Sequence, residues 1–373
     1  LALGSQALPV VRTPDGSVPR IVIGSCGSPL SQRVAELLDV KVSPESPGEQ
    51  GYTSACGEVN GVPTVLAAGS DSQGALYACI TLCRLIQSVN GKVCLLSSRV
   101  RDWPDFKIRC NSSLNLRLIR SCRNTETMAR IADDLKRQID FCLRHKINYV
   151  NTNAYWAQSA SDERTREIRR HMLEVCRYAR SRGIRTRAIG NTEIGSYLTP
   201  AQKEHAVVRS PGTSFAWSAL DAHRRHARDL AAYLRDARVG VFALHPVDSG
   251  GYLDPETWSR RSPACRAMYG DDRAKASLEQ FRLYFDIIRE QCPEIELEAV
   301  SYPYHYQFAM PEFVEQAQTM GADMPSMGWV RGIEDEPMAR QVQKDLCDYH
   351  RYLGAGLPRD ISVTFREAGR DIF

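Results

Sequence analysis

From residue 107 onward the chain alternates short apolar runs with long helical stripes, and few folds accept that rhythm. Residues 107–110 read as a strand, a helix follows with Met128, Ile131, Leu135, Ile139 and Cys142 on one stripe, and residues 147–150 read as the next strand. A helix over 163–182, closed by Gly183, leads to strand 184–189, and a helix over 222–237 leads to strand 239–244. A helix carrying Leu278, Phe281, Phe285 and Ile288 precedes strand 295–300; residues 324–330 and 361–365 read as a sixth and a seventh strand. Strand and long helix in alternation make βαβ units, so the pattern predicts an α/β fold.

A (β/α)8-type TIM barrel is the expected form, because each strand is followed by a helix and no Gly-rich turn follows the first strand, as an open doubly wound sheet would favour. Seven strands are counted where closure needs eight, so the barrel is expected to be incomplete at the C-terminus of this chain, with its last strand beyond residue 373.

The first hundred residues follow a different plan. Residues 20–24 and 63–68 read as strands. Residues 30–39 read as a helix with Leu30, Val34, Leu37 and Leu38 on one face. A second helix over 72–87 repeats Leu76, Cys79, Ile80, Cys83 and Ile86, and Asn90-Gly91 turns the chain into the apolar run 93–96. Residues 97–106, SSRVRDWPDF, read as a short docked linker, which sets a small α/β domain at 1–105 and the barrel at 106–373.

A chain of 373 residues that is 43% hydrophobic and 25% charged can bury two cores. Its net charge of +4 is small for its length, and its Arg-rich stretches alternate with acids, so no nucleic-acid partner is expected. No run of eighteen apolar residues exists, so no membrane span is expected; the first eleven residues lack a basic region with a long apolar core, and no signal peptide is visible. The twelve cysteines form no CxxC pair and read as buried free thiols.

Reactive groups of a barrel gather where its strands end, because the loops at that rim converge on one pocket. The strand ends here carry Asn111 and Ser113; Asn151, Asn153, Tyr155 and Trp156; Asn191 and Glu193; His245 and Asp248; Tyr302, Tyr304 and His305; Trp329 and Arg331; Arg366 and Glu367. Rings, amides and a few carboxylates suit a carbohydrate, whose ring has an apolar face that stacks on Trp or Tyr and a rim of hydroxyls that needs donors and acceptors. Singly, each aromatic is equally at home in a core, and each asparagine in a loop cap. Residues 239–251, VGVFALHPVDSGG, are the most informative run: an apolar strand ends in His245, Asp248 and two glycines. Asp248 is either a catalytic carboxylate or an acceptor for backbone N–H groups of the turn that follows it.

Residues 69–87 (GSDSQGALYACITLCRLIQ), 100–110 (VRDWPDFKIRC), 145–156 (HKINYVNTNAYW) and 177–184 (RYARSRGI) together resemble β-N-acetylhexosaminidases and their O-GlcNAcase-like and α-glucuronidase-like relatives. That resemblance implies a glycoside hydrolase of a small N-terminal α/β domain plus a barrel, with secretion or a periplasmic location as the usual setting. In the O-GlcNAcase-like group the fourth strand ends in two aspartates, one steadying the substrate acetamide and the next serving as general acid. Asp248 matches the second, and Val247 stands where the first would be. Glu193 or Glu367 is then expected as the second carboxylate, with Asn151, Asn153, Trp156, Asn191, His245, Tyr302, Tyr304 and Trp329 binding sugar. The spacing of the two carboxyl groups decides the chemistry, about 5 Å for a covalent retaining route and about 6.5–9.5 Å for inversion. A binding protein that has lost hydrolysis, or an α-glucuronidase-like hydrolase, is the alternative.

Other signals have blander readings. Residues 69–74 have phosphate-loop spacing but continue Ala75-Leu76 where Lys and Ser or Thr are needed, so a helix start is expected. His223 and His226, among Arg224, Arg225 and Arg228, read as a solvated face with no metal site. Asp271-Asp272 reads as the acidic start of a helix. No Gly-x-Ser-x-Gly elbow and no cofactor motif is present, which leaves carboxylates as the expected catalytic groups.

Overall fold

The computed structural model describes residues 18–111, 114–153, 162–204, 206–210, 213–245, 258–301 and 336–365. It divides into two compact units, one of Leu1–Arg109 with Cys142–Asn148, the other of Cys110–Phe141 with Tyr149–Phe373. No described helix is long and apolar enough to cross a membrane.

The first unit is a four-stranded mixed sheet with a helix on each face. Its strands are β1 (Arg20–Ser25), β2 (Tyr52–Val59), β3 (Val62–Gly69) and β6 (Arg99–Asp102), in the order β1-β3-β2-β6, with helices α1 (Pro29–Leu37) and α2 (Ser72–Leu85) and a hairpin of β4 (Ile86–Val89) and β5 (Lys92–Leu95). β1 runs parallel to β3, whereas β2 is antiparallel to both β3 and β6. Asn90 and Gly91 both take positive φ, the backbone that a two-residue hairpin loop requires.

Three readings of this unit are corrected. Residues 97–106 are not all linker: Arg99–Asp102 form edge strand β6. The strand β2 was not foreseen, because YTSACGEV lacks an apolar alternation even though its first four residues are all buried. The expected helix faces hold only in part: Val34 and Leu38 are buried, and Ile80 packs against the core of Tyr77, Ala78 and Leu82. In α1 the buried positions are Ser31, Val34 and Ala35, while Leu30 and Leu37 are exposed. In α2 they are Gly74, Tyr77, Ala78 and Leu82, and Cys83 is exposed. The start of α2 fits the bland reading, since Asp71 caps it by accepting from the Gly74 N–H at 2.7 Å.

The second unit is built on a six-stranded parallel sheet of β7 (Cys110–Asn111), β8 (Tyr149–Asn153), β9 (Arg185–Gly190), β12 (Val241–Leu244), β13 (Glu296–Ser301) and β14 (Ser362–Phe365). The order is β14-β13-β12-β9-β8-β7, so the strands lie side by side in chain sequence. No reversal of order occurs among them, so they contain no switch-point crevice of the doubly wound kind. The connecting helices are α3 (Arg117–Ser121), α4 (Thr125–Arg144), α5 (Glu163–Ser181), α6 (Pro200–Glu204), α7 (Leu220–Ala237), α8 (Pro263–Tyr269), α9 (Arg273–Gln291) and α10 (Glu336–Gly356). A hairpin of β10 (Val207–Ser210) and β11 (Thr213–Phe215) interrupts the rhythm between β9 and α7. The expected sixth strand, 324–330, lies outside the described residues.

Strand alternation gives this sheet two unlike faces. Val150, Ala188, Phe242, Leu244, Leu297 and Ala299 are buried on one of them. Gly190 lies on it too; a β-carbon there would stand 2.7 Å from the Phe242 ring and 3.6 Å from Leu230 of α7, which fixes this as the helix-covered side.

His223 and His226 do not form a solvated face. They are 1% and 5% exposed, on the side of α7 that meets α9, and their Nδ1 atoms lie 3.1 and 2.9 Å from the Tyr284 hydroxyl. His223 Nε2 lies 3.1 Å from the Ala216 carbonyl, which can only accept, so His223 carries its proton on Nε2. Its Nδ1 then accepts from Tyr284, and His226 Nδ1–H donates to the same oxygen. Burial depresses both imidazoles, His223 to about 3 and His226 to about 4. The twelve cysteines are all free, but only Cys122, Cys142, Cys176 and Cys265 are buried, which corrects the expectation for the rest. At the start of α9, Asp272 accepts from the Lys275 N–H at 2.8 Å, the capping role expected of that acidic pair.

Candidate functional site

The parallel register puts several of the expected residues at one end of the second unit's sheet. Gly190 of β9 pairs with Leu244 of β12, so Asn191 and His245 leave the sheet from neighbouring positions, and the His245 N–H donates to the Gly190 carbonyl at 2.8 Å. Asn153, the last residue of β8, pairs with Ile189 one level lower. Asn151 pairs with Arg187, two levels below Ile189 on the same face. Asn191 folds its side chain back, accepting from the Glu193 N–H at 3.3 Å, and Thr192 between them is fully buried. Glu193 is half-buried, and Ile194 beside it is packed into a small core with Leu198 and Ala222, which anchors the loop. His245 is 3% exposed.

Amides, an imidazole and a carboxylate thus share the carboxyl end of β8, β9 and β12, a set that can donate to and accept from hydroxyl groups. Asp248, Glu367, Trp156, Tyr302, Tyr304 and Trp329 lie outside the described residues, as do Ser113, Tyr155, His305, Arg331 and Arg366. No group of three His, Cys, Asp or Glu side chains among the described residues is placed to hold a metal.

The sequence reading missed a charged ladder on the same sheet face. Arg187 of β9 reaches over β12 to Glu298 of β13, with Nε 2.7 Å from Glu298 Oε2 and a second contact through Nη2. That bridge crosses two strand spacings, about 9–10 Å. Ala243, paired with both Ile189 and Glu298, leaves the room for it. The remaining Arg187 nitrogen, Nη1, lies 3.4 Å from Asn151 Oδ1, and the Thr364 hydroxyl lies 3.3 Å from Glu298. One turn of the pleat lower, Arg185 donates to the Tyr149 hydroxyl at 2.7 Å and to Glu296 at 2.8 Å. Gly240 gives it passage, since a β-carbon there would lie 3.0 Å from Arg185 Nε. Burial pushes the Tyr149 phenol up, against the pull of the Arg185 charge. The side chains of Arg187 and Glu298 are 17% and 20% exposed, those of Arg185 and Glu296 41% and 61%, so the first pair is the better shielded. A period-two signal was present in RTR over 185–187 and ELE over 296–298, with both charges of each triplet on one side of a strand.

No protein-family model matches the chain, and no curated protein matches it in sequence. Among solved structures, CpGH84B superposes with a TM-score of 0.52 at 15% identity, over 92% of this chain and 46% of its own. A Vibrio harveyi GH20 exo-β-N-acetylglucosaminidase, solved as an inactive mutant, gives 0.48 at 14% identity over 78% of this chain and 52% of its own. A β-N-acetylhexosaminidase gives 0.46 at 14% identity over 84% and 70%. The chain spans about half the length of the first two. The likeness to CpGH84B shows the fold alone: the chain shares the fold of that protein.

Proposed function

From a glycoside hydrolase fold as premise, we propose that this chain is the carbohydrate-cleaving part of a hydrolase for β-N-acetylhexosaminide-type linkages. The observation that carries the proposal is the sequential parallel order β7 to β14 together with the likeness to CpGH84B; strands wound in one direction bring their loops to one rim. Residues 106–373 would belong to a (β/α)8-type barrel, and residues 1–105 to the small domain that precedes it.

Asp248 is the proposed general acid and Glu193 or Glu367 the second carboxylate. Asn151, Asn153, Asn191 and His245 would meet the hydroxyl rim of the sugar, and Trp156, Tyr302, Tyr304 and Trp329 its apolar face. The second reading, a barrel that binds glycan without cleaving it, is favoured by one residue, Val247, which stands where an acetamide-steadying carboxylate is expected.

The test is release of a chromogenic leaving group from β-N-acetylhexosaminides and from glucuronides, in the parent chain and in Asp248→Asn and Glu193→Gln. Turnover that falls by about 100-fold or more in Asp248→Asn supports acid catalysis at that residue. Binding of the same glycosides without turnover selects the second reading, and neither binding nor turnover rejects both.

A further inference from the structure

The first unit holds a cleft of about 260 Å³ that no step of the proposed reaction uses. All of its lining residues belong to that unit, and they bring an aromatic rim and a polar floor together.

The floor is prebuilt. Arg109 donates from Nε to the Lys146 carbonyl at 2.8 Å, from Nη1 to the Phe106 carbonyl at 2.6 Å, and from Nη2 to Gln50 Oε1 and the Tyr77 hydroxyl, both at 2.9 Å. Four of its five N–H donors are therefore engaged by the protein, and their work is to pin the segment that ends at Arg109. Asn148, 6% exposed, ties the same segment down by accepting from the Arg109 N–H at 2.8 Å and donating to the Lys107 carbonyl at 2.7 Å. Residues 103–108 are thus held at one end by these bonds and at the other by β6.

What that held segment presents is unusual for a surface. Trp103 is 50% and Phe106 75% exposed, although burial of a large aromatic ring is favourable by a few kcal/mol. The Arg101 guanidinium lies 4.9 Å from the Trp103 ring centre and braces the indole. At the base of the cleft, Lys146 donates to the Tyr52 hydroxyl and to Asp102 Oδ2, both at 2.7 Å. An ammonium has three N–H donors, so one remains for a ligand. Burial raises the Asp102 carboxyl, but the bonds from Lys146 and Tyr52 outweigh it and hold the group below the ordinary aspartate range, so it stays an acceptor.

We propose that this cleft is an accessory sugar site, taking one pyranose ring against Trp103 and Phe106 with Lys146 and Asp102 meeting its hydroxyls. A volume below the roughly 300–1,000 Å³ of sites for drug-sized ligands suits one ring rather than a chain. The choice of a sugar as ligand rests on the proposed glycan reading; the cleft itself rests on the geometry. It would hold a glycan to the protein independently of the strand-end site.

The experiment uses the full chain with methyl β-N-acetylglucosaminide and methyl β-glucoside as probes, read by saturation-transfer NMR and tryptophan fluorescence. At least one probe is expected to bind, with affinity reduced about tenfold or more in Trp103→Ala and largely kept in Trp103→Phe. Phe106→Ala, at a more exposed position, serves if Trp103→Ala does not fold, and the same loss is expected. Hydrolysis of a small chromogenic glycoside should be unchanged by Trp103→Ala, and binding at the cleft unchanged by Asp248→Asn. Absence of binding to both probes, binding curves for both probes that the two aromatic truncations leave unchanged, or loss of binding and hydrolysis together in Trp103→Ala overturns the inference. Binding that depends on Trp103 in a chain without turnover supports it while removing the catalytic reading.

Discussion

A β-carbon on Gly74 would stand 2.0 Å from the Gly51 carbonyl oxygen, and a backbone oxygen has little room to move aside. Gly69, just ahead of it, would meet the Ala75 nitrogen at the same distance. The GxxxxG spacing at 69–74 therefore records two close approaches of backbone where β3 turns into α2, which is why it resembles a phosphate loop in spacing without the residues that bind phosphate. Gly74→Ala should lower the unfolding free energy by about 1–3 kcal/mol or more in a urea titration, as overpacking does. Gly354, in α10, is the control: a β-carbon there meets nothing within 4 Å, and alanine should stabilise by about 0.5–1 kcal/mol. The distinction is not legible in the sequence, because both are glycines beside helical residues and only the packed neighbour tells them apart. The same holds for Leu30 and Leu37, exposed on α1 while Ser31 is buried; a small residue takes the position pressed closest to the sheet.

At the scale of elements, the exposed-looking charges of β9 and β13 are partners across a third strand. Removing one member of a shielded pair leaves the other poorly compensated, so Glu298→Gln and Arg187→Met should each destabilise by about 2 kcal/mol, and the double substitution by less than their sum. Additive losses in a double-mutant cycle from urea melts would show that the bridge over Ala243 carries no coupling. Asn151 is the reporter for the site: if Arg187 orients its amide, Arg187→Met should raise KM for a glycoside more than it lowers kcat. The strands themselves were legible, since β9, β12, β13 and β14 coincide with expected runs to within two residues. Their cross-strand partners were not, because register depends on which strands become neighbours.

For the whole second unit, the buried Tyr284 hydroxyl shared by His223 and His226 couples α7, α9 and the Ala216 turn to pH. Tyr197, whose ring is tilted against that of His226 at 5.1 Å and whose hydroxyl donates to Asp229, and Gln280 face the same cluster. Both folded imidazoles titrate below the unfolded value near 6.5, so the unfolded chain binds more protons as pH falls. Stability should be full above about pH 6.5 and decline toward pH 4, by up to about 1.4 kcal/mol per pH unit for each ring. Urea midpoints measured across that window should flatten in His223→Gln; an unchanged slope would remove the pair as its source. The sequence by itself determined the alternation of strands and helices, because apolar periodicity is a local property that each segment carries alone. It also placed Asn191, Glu193 and His245 just past strand ends, whereas Asn151 lies inside β8. Only the tertiary structure decided that the two histidines are buried, that edge strand β6 lies within the expected linker, and that Arg187 reaches Glu298. Each of those depends on which distant segment supplies the other half of a contact, and that choice is made by the packing of the whole chain.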